Sequence, residues 1–138
     1  MEVNPIRILI CNRYTLFREG VKALLQAGDT PVTVAETDTG TGALRLMKSF
    51  RPDVVLLDAT TPDSSGSEST RLMRLIDPGV KIVVVAMNDD EPLRSGCLRA
   101  GAWACVGNQD DAWRLKEIIN DACGRDTQTT QGNWSVIQ

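Results

Sequence analysis

Five short apolar runs, each the length of a β-strand, alternate along the chain with segments of helical period. The runs occupy residues 6–11, 32–37, 54–57, 80–87 and 102–106. Helical spacing of apolar residues follows the first run and the last run, at Leu16, Phe17, Val21, Leu24 and Leu25 and at Leu115, Ile118, Ile119 and Ala122. Strands this apolar need cover on both faces, which a parallel sheet between two helix layers provides. We therefore predict an α/β fold in which five βα units form a doubly wound, flavodoxin-like parallel sheet.

The size and composition of the chain fit one soluble domain. Its 138 residues are 42% hydrophobic and 24% charged, which allows one hydrophobic core. No apolar run approaches the roughly 20 residues that a membrane helix needs, and the first residues lack the features of a signal peptide. We expect a cytoplasmic protein without membrane contact, with a domain at residues 1–124 and a polar linker or tail at 125–138.

Charge and cysteine spacing exclude several classes of function. The net charge of −3 gives no basic field for phosphate backbones, so we expect no direct contact with nucleic acid. The four cysteines stand far apart and the chain has no histidine, so no metal-ligand spacing is present. This pattern favours buried, reduced thiols over a redox role. Residues 39–45 resemble a dinucleotide loop only until Arg45, which replaces the third glycine, and we predict no cofactor.

Asp58 directly follows the third apolar run, at a point where the chain turns. In parallel sheets, ligands and chemistry collect at the carboxyl ends of the strands. We expect Asp58 to be faced there by Asn12 and Arg13 after the first strand, Ala86 after the fourth and Asn108 after the fifth. These residues are the candidate site.

Several segments together resemble the receiver domains of response regulators, and most closely those of the LuxR/FixJ type. The segments are FREGVKALL, ALRLMKSFRPDVVLLD, the proline and glycine of TTPDSSG, and LRAGA. The resemblance covers residues 6–124 and implies a signalling domain rather than an enzyme. It also implies that Asp58 corresponds to the aspartate that accepts a phosphoryl group from a histidine kinase.

The other reactive positions depart from the pattern of that family. The two acidic residues that hold Mg²⁺ correspond to Asn12 and Arg13, the hydroxyl residue after the fourth strand to Ala86, and the lysine after the fifth strand to Asn108. The charges at positions 12, 13, 58 and 108 sum to zero, against −2 in the family. Because a guanidinium at position 13 repels a divalent cation about as strongly as Asp58 attracts it, we predict no metal.

Local structure offers a second interpretation of some of these residues. Asn12 is predicted to cap the first helix and Asn108 the last one, and residues 65–68 have the pattern of a capping box. We also predict that Arg13 pairs with Asp58 in place of the missing cation and fixes one conformation of the pocket.

The resemblance also identifies an output surface. Family receivers commonly dimerise or bind targets through the fourth helix, the fifth strand and the fifth helix, and Cys105 replaces the aromatic residue that reports phosphorylation in many relatives. Trp113 lies on the polar side of the last helix, so we expect it to be partly exposed. Trp103, at the start of the fifth strand, is expected to extend this patch. The alternative is that both indoles cover the ends of the core.

Three functions remain open at this point. The first is an atypical receiver that acts in signal transduction and transcription regulation by binding a protein partner or itself, without Mg²⁺-dependent phosphorylation. The second is the receiver half of a DNA-binding two-component regulator that is still phosphorylated at Asp58. The third is a flavodoxin-like enzyme or electron carrier, for which the loop after the first strand offers a phosphate only Thr15.

Overall fold

The computed structural model describes residues 4–86, 91–107 and 110–124, and these form alternating strands and helices. The strands are β1 (Ile6–Cys11), β2 (Val32–Thr37), β3 (Val54–Asp58), β4 (Thr60–Thr61), β5 (Ser64–Ser65), β6 (Lys81–Ala86) and β7 (Ala104–Gly107). The helices are α1 (Thr15–Gln26), α2 (Gly40–Ser49), α3 (Gly66–Ile76), α4 (Glu91–Arg99) and α5 (Ala112–Ala122). Among the described residues, no helix has the length and apolar character needed to cross a membrane.

Five of the strands form one parallel sheet with the order β2-β1-β3-β6-β7. The strands β4 and β5 form a separate two-residue antiparallel ladder directly after β3. The strand order changes direction at β1, which places β1 and β3 side by side at the centre of the sheet. The predicted doubly wound α/β fold is confirmed.

The two faces of the sheet carry separate hydrophobic clusters, because alternate residues of each strand point to opposite faces. Helices α1 and α5 cover one face, where Val21, Leu115 and Ile118 pack on β1, β3 and β6. Helices α2, α3 and α4 cover the other, where Met47, Met73 and Cys97 are buried. The central strands are thus apolar on both faces, as their sequences predict.

Two strands begin later than the sequence predicts. The fourth apolar run begins at Val80, whereas β6 begins at Lys81. The last strand begins at Ala104 rather than at residue 102, because the Ala102 N–H donates to the Cys97 carbonyl at 3.1 Å and still belongs to the turn after α4. The predicted end of the fourth strand, Met87, lies outside the described residues.

Candidate functional site at the carboxyl ends of the strands

The strand register brings the loops after β1 and β3 together. Cys11 pairs with Leu57, so the next residues along the two strands, Asn12 and Asp58, lie side by side. On the other side of Asp58, its register partner in β6 is Val85. Asp58 therefore lies near the centre of the carboxyl edge of the sheet, as predicted.

Both carboxylate oxygens of Asp58 accept hydrogen bonds. The Thr60 backbone N–H donates to Oδ1 at 3.0 Å, and the Asn12 Nδ2 amide donates to Oδ2 at 3.3 Å. Burial raises the pKa of the Asp58 carboxyl above its ordinary value, while the Thr60 hydrogen bond and the Arg13 charge act in the opposite direction. The groups beside Asp58 thus offset only part of the effect of burial on its charged form.

The buried Asn12 side chain is fixed at both of its ends. While its Nδ2 donates to Asp58, its Oδ1 accepts the Tyr14 backbone N–H at 2.8 Å. This second bond determines which end of the amide faces Asp58. The prediction that Asn12 caps α1 is wrong, because the N-cap residue is Tyr14, which makes no side-chain capping bond. Asn12 instead bonds the backbone two residues ahead, a turn contact typical of asparagine.

Arg13 does not occupy the place predicted for it. Its guanidinium carbon lies 5.4 Å from the centre of the Tyr14 ring, and the side chain is exposed. Within the part of the chain that the structure describes, Arg13 and Asp58 form no ion pair within 4 Å. The Arg13 charge nevertheless opposes the rise that burial causes in the pKa of Asp58. The two charges therefore interact at longer range than in a salt bridge.

These residues do not fit a Mg²⁺ ion. Mg²⁺ takes oxygen ligands in near-ideal octahedral geometry, commonly one or two carboxylates plus water. Here the amide nitrogen of Asn12, a donor, faces the Asp58 carboxylate, and its oxygen is already bonded to Tyr14. In residues 4–86, 91–107 and 110–124, no three acidic or cysteine side chains are grouped as metal ligands.

The carboxyl ends of β6 and β7 present small side chains beside Asp58. Ala86 is buried, has no hydroxyl group, and pairs in register with Gly107. Next along the chain is Asn108, which lies outside the described residues. The N-cap of α5 is Asp111, whose carboxylate accepts the Arg114 N–H at 2.9 Å. The prediction that Asn108 caps this helix is therefore wrong, because Asp111 stands three residues before the N–H that needs a partner.

Asp63 is an important residue of the loop after β3 that the sequence did not reveal. Its carboxylate accepts the backbone N–H groups of Gly40 and Thr41 at 2.8 and 3.0 Å and the Thr41 hydroxyl at 2.7 Å. These bonds hold the pKa of Asp63 well below its usual range. Asp63 thereby fills the amino end of α2, where a dinucleotide phosphate would bind. In the sequence, an acidic residue directly after Pro62 indicates only a turn. It does not indicate which groups the carboxylate binds.

Arg18 is a second residue that the sequence analysis missed. Its Nη1 donates to the Asn12 carbonyl oxygen at 2.6 Å, and its Nε donates to Glu36 of β2 at 2.8 Å. The side chain is largely buried. Arg18 thus ties α1 to the loop that carries Asn12. Its position on the polar side of a helix gave no indication of this contact.

The start of α3 has the capping residue that the sequence predicts. Ser65 caps α3 by accepting the Glu68 N–H at 3.2 Å, as predicted.

Trp103 is 47% exposed, with the Lys81 ammonium 4.5 Å from its ring centre. Trp113, in the first turn of α5, is half-buried. The two tryptophans flank opposite ends of β7, so they mark two places on this edge of the molecule. Cys105 lies between them on β7.

A chain with this sheet order and with an aspartate at the end of its third strand has the architecture of a signalling receiver. The family model for the response regulator receiver domain matches residues 8–120. The chain belongs to the response regulator receiver family. The sequence-based recognition is confirmed.

Among curated proteins, the chain is similar to transcription regulators. It is 35% identical over 116 residues to the transcriptional regulatory protein DegU of Brevibacillus brevis. The matched segment covers 84% of this chain and 49% of DegU. It is 32% identical over 114 residues to the response regulator GacA of Pseudomonas aeruginosa, with 83% and 52% covered. The chain thus spans about half the length of these curated relatives.

Solved receiver structures have the same fold. A LuxR-family response regulator from Aurantimonas sp. SI85-9A1 superposes with a TM-score of 0.80 at 28% identity, with 88% of each chain covered. The NarL signal receiver domain of Mycobacterium tuberculosis gives a TM-score of 0.80 at 27% identity, with 89% of this chain and 100% of that chain covered.

Proposed function

We propose that this receiver domain signals by binding a protein partner or a second copy of itself, without Mg²⁺-dependent phosphorylation of Asp58. The observation that carries the proposal is the Asn12 side chain. It stands where an acidic ligand is expected, and both of its polar atoms are bonded to the protein. The neighbouring residue is the cation Arg13, which disfavours a divalent ion further. The role in signalling and transcription regulation is supported by the names of the relatives.

The residues at positions 86 and 108 support the same proposal. Ala86 offers no hydroxyl to a phosphoryl oxygen, and residue 108 is an asparagine where the family has a lysine. A phosphoryl group on Asp58 would carry oxygens without the partners that normally offset its charge, which is costly in a half-buried site. The proposed output surface is the edge of the sheet formed by α4, β7 and α5.

The test is incubation of the protein with an acyl phosphate and Mg²⁺, followed by intact-mass analysis. We expect no added phosphate in the wild type. A receiver that retains both acidic residues, treated in parallel, controls for the donor. Stoichiometric phosphorylation that disappears in Asp58→Asn would contradict the proposal.

A double variant provides a sharper arm of this experiment. Asn12→Asp with Arg13→Asp restores the two acidic residues. We nevertheless expect little phosphorylation, because position 86 still lacks a hydroxyl and position 108 still lacks a cation. Efficient phosphorylation of the double variant would show that the acidic pair alone controls the reaction.

The second candidate is the receiver half of a DNA-binding regulator that remains phosphorylated at Asp58. It is favoured by the retention of Asp58 at the strand end and by the curated relatives, of which the matched segment covers only about half. The phosphorylation test above separates the two candidates directly.

A further inference from the structure

Two of the four cysteines pack into the same apolar cluster, one on α4 and the other on the edge strand β7. Cys97 of α4 is fully buried in the cluster beneath α2, α3 and α4, and Cys105 packs against that same cluster. The neighbours of Cys105 in β7, Ala104 and Val106, point to the opposite face. The hydrogen bond from Ala102 N–H to the Cys97 carbonyl keeps the end of α4 close to the start of β7. Both thiols therefore lie at the same helix–strand boundary.

The surroundings give the two thiols different exposure. Cys97 is inaccessible, whereas Cys105 is partly exposed. Burial raises the pKa of both thiols; the proximity of Cys105 adds to this effect at Cys97, and the charge of Arg94 opposes it at Cys105. Of these two thiols, Cys105 is thus the one that an oxidant reaches first. The reaction should be slow, since the thiolate is the reactive form.

Cys11 provides a contrast within the same chain. It is fully buried, its Sγ lies 3.4 Å from the Thr39 carbonyl oxygen, and burial followed by the Asp58 charge raises its pKa to about 12. Neither property suits a thiol that reacts with an oxidant.

We propose that Cys97 and Cys105 form a disulfide when the protein meets a hydroperoxide, and that this bond locks α4 onto β7. In the first step the Cys105 thiolate attacks the peroxide, takes one oxygen as a sulfenic acid and releases an alcohol or water. The Cys97 thiol then attacks the Cys105 sulfur, the S–S bond forms, and the hydroxyl leaves as water. The peroxide accepts the two electrons.

The bond would change the shape of this edge of the molecule. A disulfide holds its sulfur atoms about 2.05 Å apart, far closer than van der Waals contact between two thiols, so oxidation draws α4 toward β7. Cys105 stands where many relatives carry the aromatic residue that reports phosphorylation. The effect on signalling rests on the proposed function, whereas formation of the bond does not. Intracellular disulfides that do form are commonly transient and redox-sensing.

The first test uses the whole wild-type chain treated with hydrogen peroxide, blocked with iodoacetamide and digested with trypsin without reduction. Cleavage at Arg94, Arg99 and Arg114 places the two cysteines in separate peptides, SGCLR and AGAWACVGNQDDAWR. We expect these peptides to be joined, with the loss of two hydrogen atoms, and to separate on treatment with dithiothreitol. Over-oxidation of Cys105 without cross-linking, or a bond to ILICNR or EIINDACGR instead, would overturn the proposal.

Matched variants then test the effect on shape. Oxidised wild type should show slower hydrogen exchange in α4 than reduced wild type, and Cys105→Ser should show no difference on oxidation. Cys123→Ser, which removes a thiol from the end of α5, should behave as wild type. A cross-linked protein with unchanged exchange in α4 would refute the lock. Since neither readout involves Asp58 or self-association, these results stand apart from failure of the proposed function.

Discussion

At the scale of single residues, the site depends on one amide nitrogen. A carboxylate at position 12 would repel Asp58 and require a cation between the two groups. Asn12 instead donates a hydrogen bond to the Asp58 carboxylate. The distance of 3.3 Å is long for N–H···O, so the bond itself is modest. Its larger effect is that no second negative charge lies beside a carboxylate whose pKa burial already raises.

Asn12→Asp is therefore expected to destabilise the protein. At pH 7 a second carboxylate close to Asp58 should lower the free energy of unfolding by about 2 kcal/mol, after allowance for solvent screening. Because burial and a like charge both raise a carboxyl pKa, one of the two groups will protonate as the pH falls, and the penalty should shrink. Urea denaturation at pH 7 and at mildly acidic pH measures both effects.

The control for this prediction is a double-mutant cycle with Asp58→Asn. In that background the carboxylate introduced at position 12 faces a neutral amide, so most of the penalty should disappear. An equal penalty in both backgrounds, or one that does not change with pH, would show that charge repulsion is not the cause.

At the scale of secondary-structure elements, Asp63 joins the loop after β3 to the start of α2. Its depressed pKa means that it stabilises the fold above the ordinary carboxyl pKa and that this contribution is lost as the pH falls. Asp63→Asn should lower the urea midpoint at pH 7, and the difference from wild type should narrow in acid. Asp121→Asn, an exposed change on α5, is the matched control. A difference that stays constant with pH would contradict the assignment.

The end of α2 makes a second prediction at this scale. Arg51 has φ of 55°, in the left-handed region that disfavours side chains with a Cβ. Arg51→Gly should therefore raise the free energy of unfolding by about 0.5–1 kcal/mol. Arg51→Val should lower it, since a β-branched residue tolerates this conformation poorly. If both variants shift the thermal midpoint in the same direction, backbone strain is not the controlling factor.

The sequence was informative about the main strands and helices and less so about their ends. Apolar runs identified all five strands of the sheet, because burial on both faces leaves little freedom in composition. The β4–β5 ladder has only threonine and serine, so no hydrophobic pattern marks it. The capping errors at Asn12 and Asn108 have another cause. At α5 the N–H of the first turn is taken by Asp111, whereas at α1 the Oδ1 of Asn12 accepts the Tyr14 N–H just before the helix begins. The backbone path decides which N–H such a side chain reaches.

The positions of the site residues along the sheet were predictable from the sequence, but the contacts of their side chains were not. The carboxyl edge of a parallel sheet gathers the residues that follow its strands, so the proximity of Asn12 and Asp58 followed from topology. The position of the Arg13 side chain did not follow, because a long exposed chain has many rotamers and Tyr14 offers its ring as an alternative partner. Asp63 and Arg18 act across loops, and no spacing in the sequence encodes such contacts.

At the scale of the whole molecule, self-association is one of the two outputs that the proposed function allows. If Trp113 anchors the interface, Trp113→Ala should weaken association by about 2 kcal/mol or more, equivalent to a Kd increase of roughly 30-fold. Leu75→Ala, a change at an exposed residue of α3, is the comparison that detects a general loss of apolar surface. Light scattering over a concentration series measures both variants, with thermal melts to establish that each is folded. Self-association unchanged by Trp113→Ala would remove this edge from the proposed interface.

The bonds of Asn12 also bear on how such a site changes over evolutionary time. Under the proposed function, a lineage that acquired Mg²⁺ chemistry would need acidic residues at positions 12 and 13 together with a hydroxyl at position 86 and a lysine at position 108. An acidic residue at position 12 alone would place a second carboxylate beside Asp58, and the two would repel each other because no ion lies between them. That intermediate would be less stable than its parent and no more active, so selection would act against it. Under the proposed function, Asp58 can be retained without phosphorylation, because Asn12 and Thr60 donate hydrogen bonds to its carboxylate.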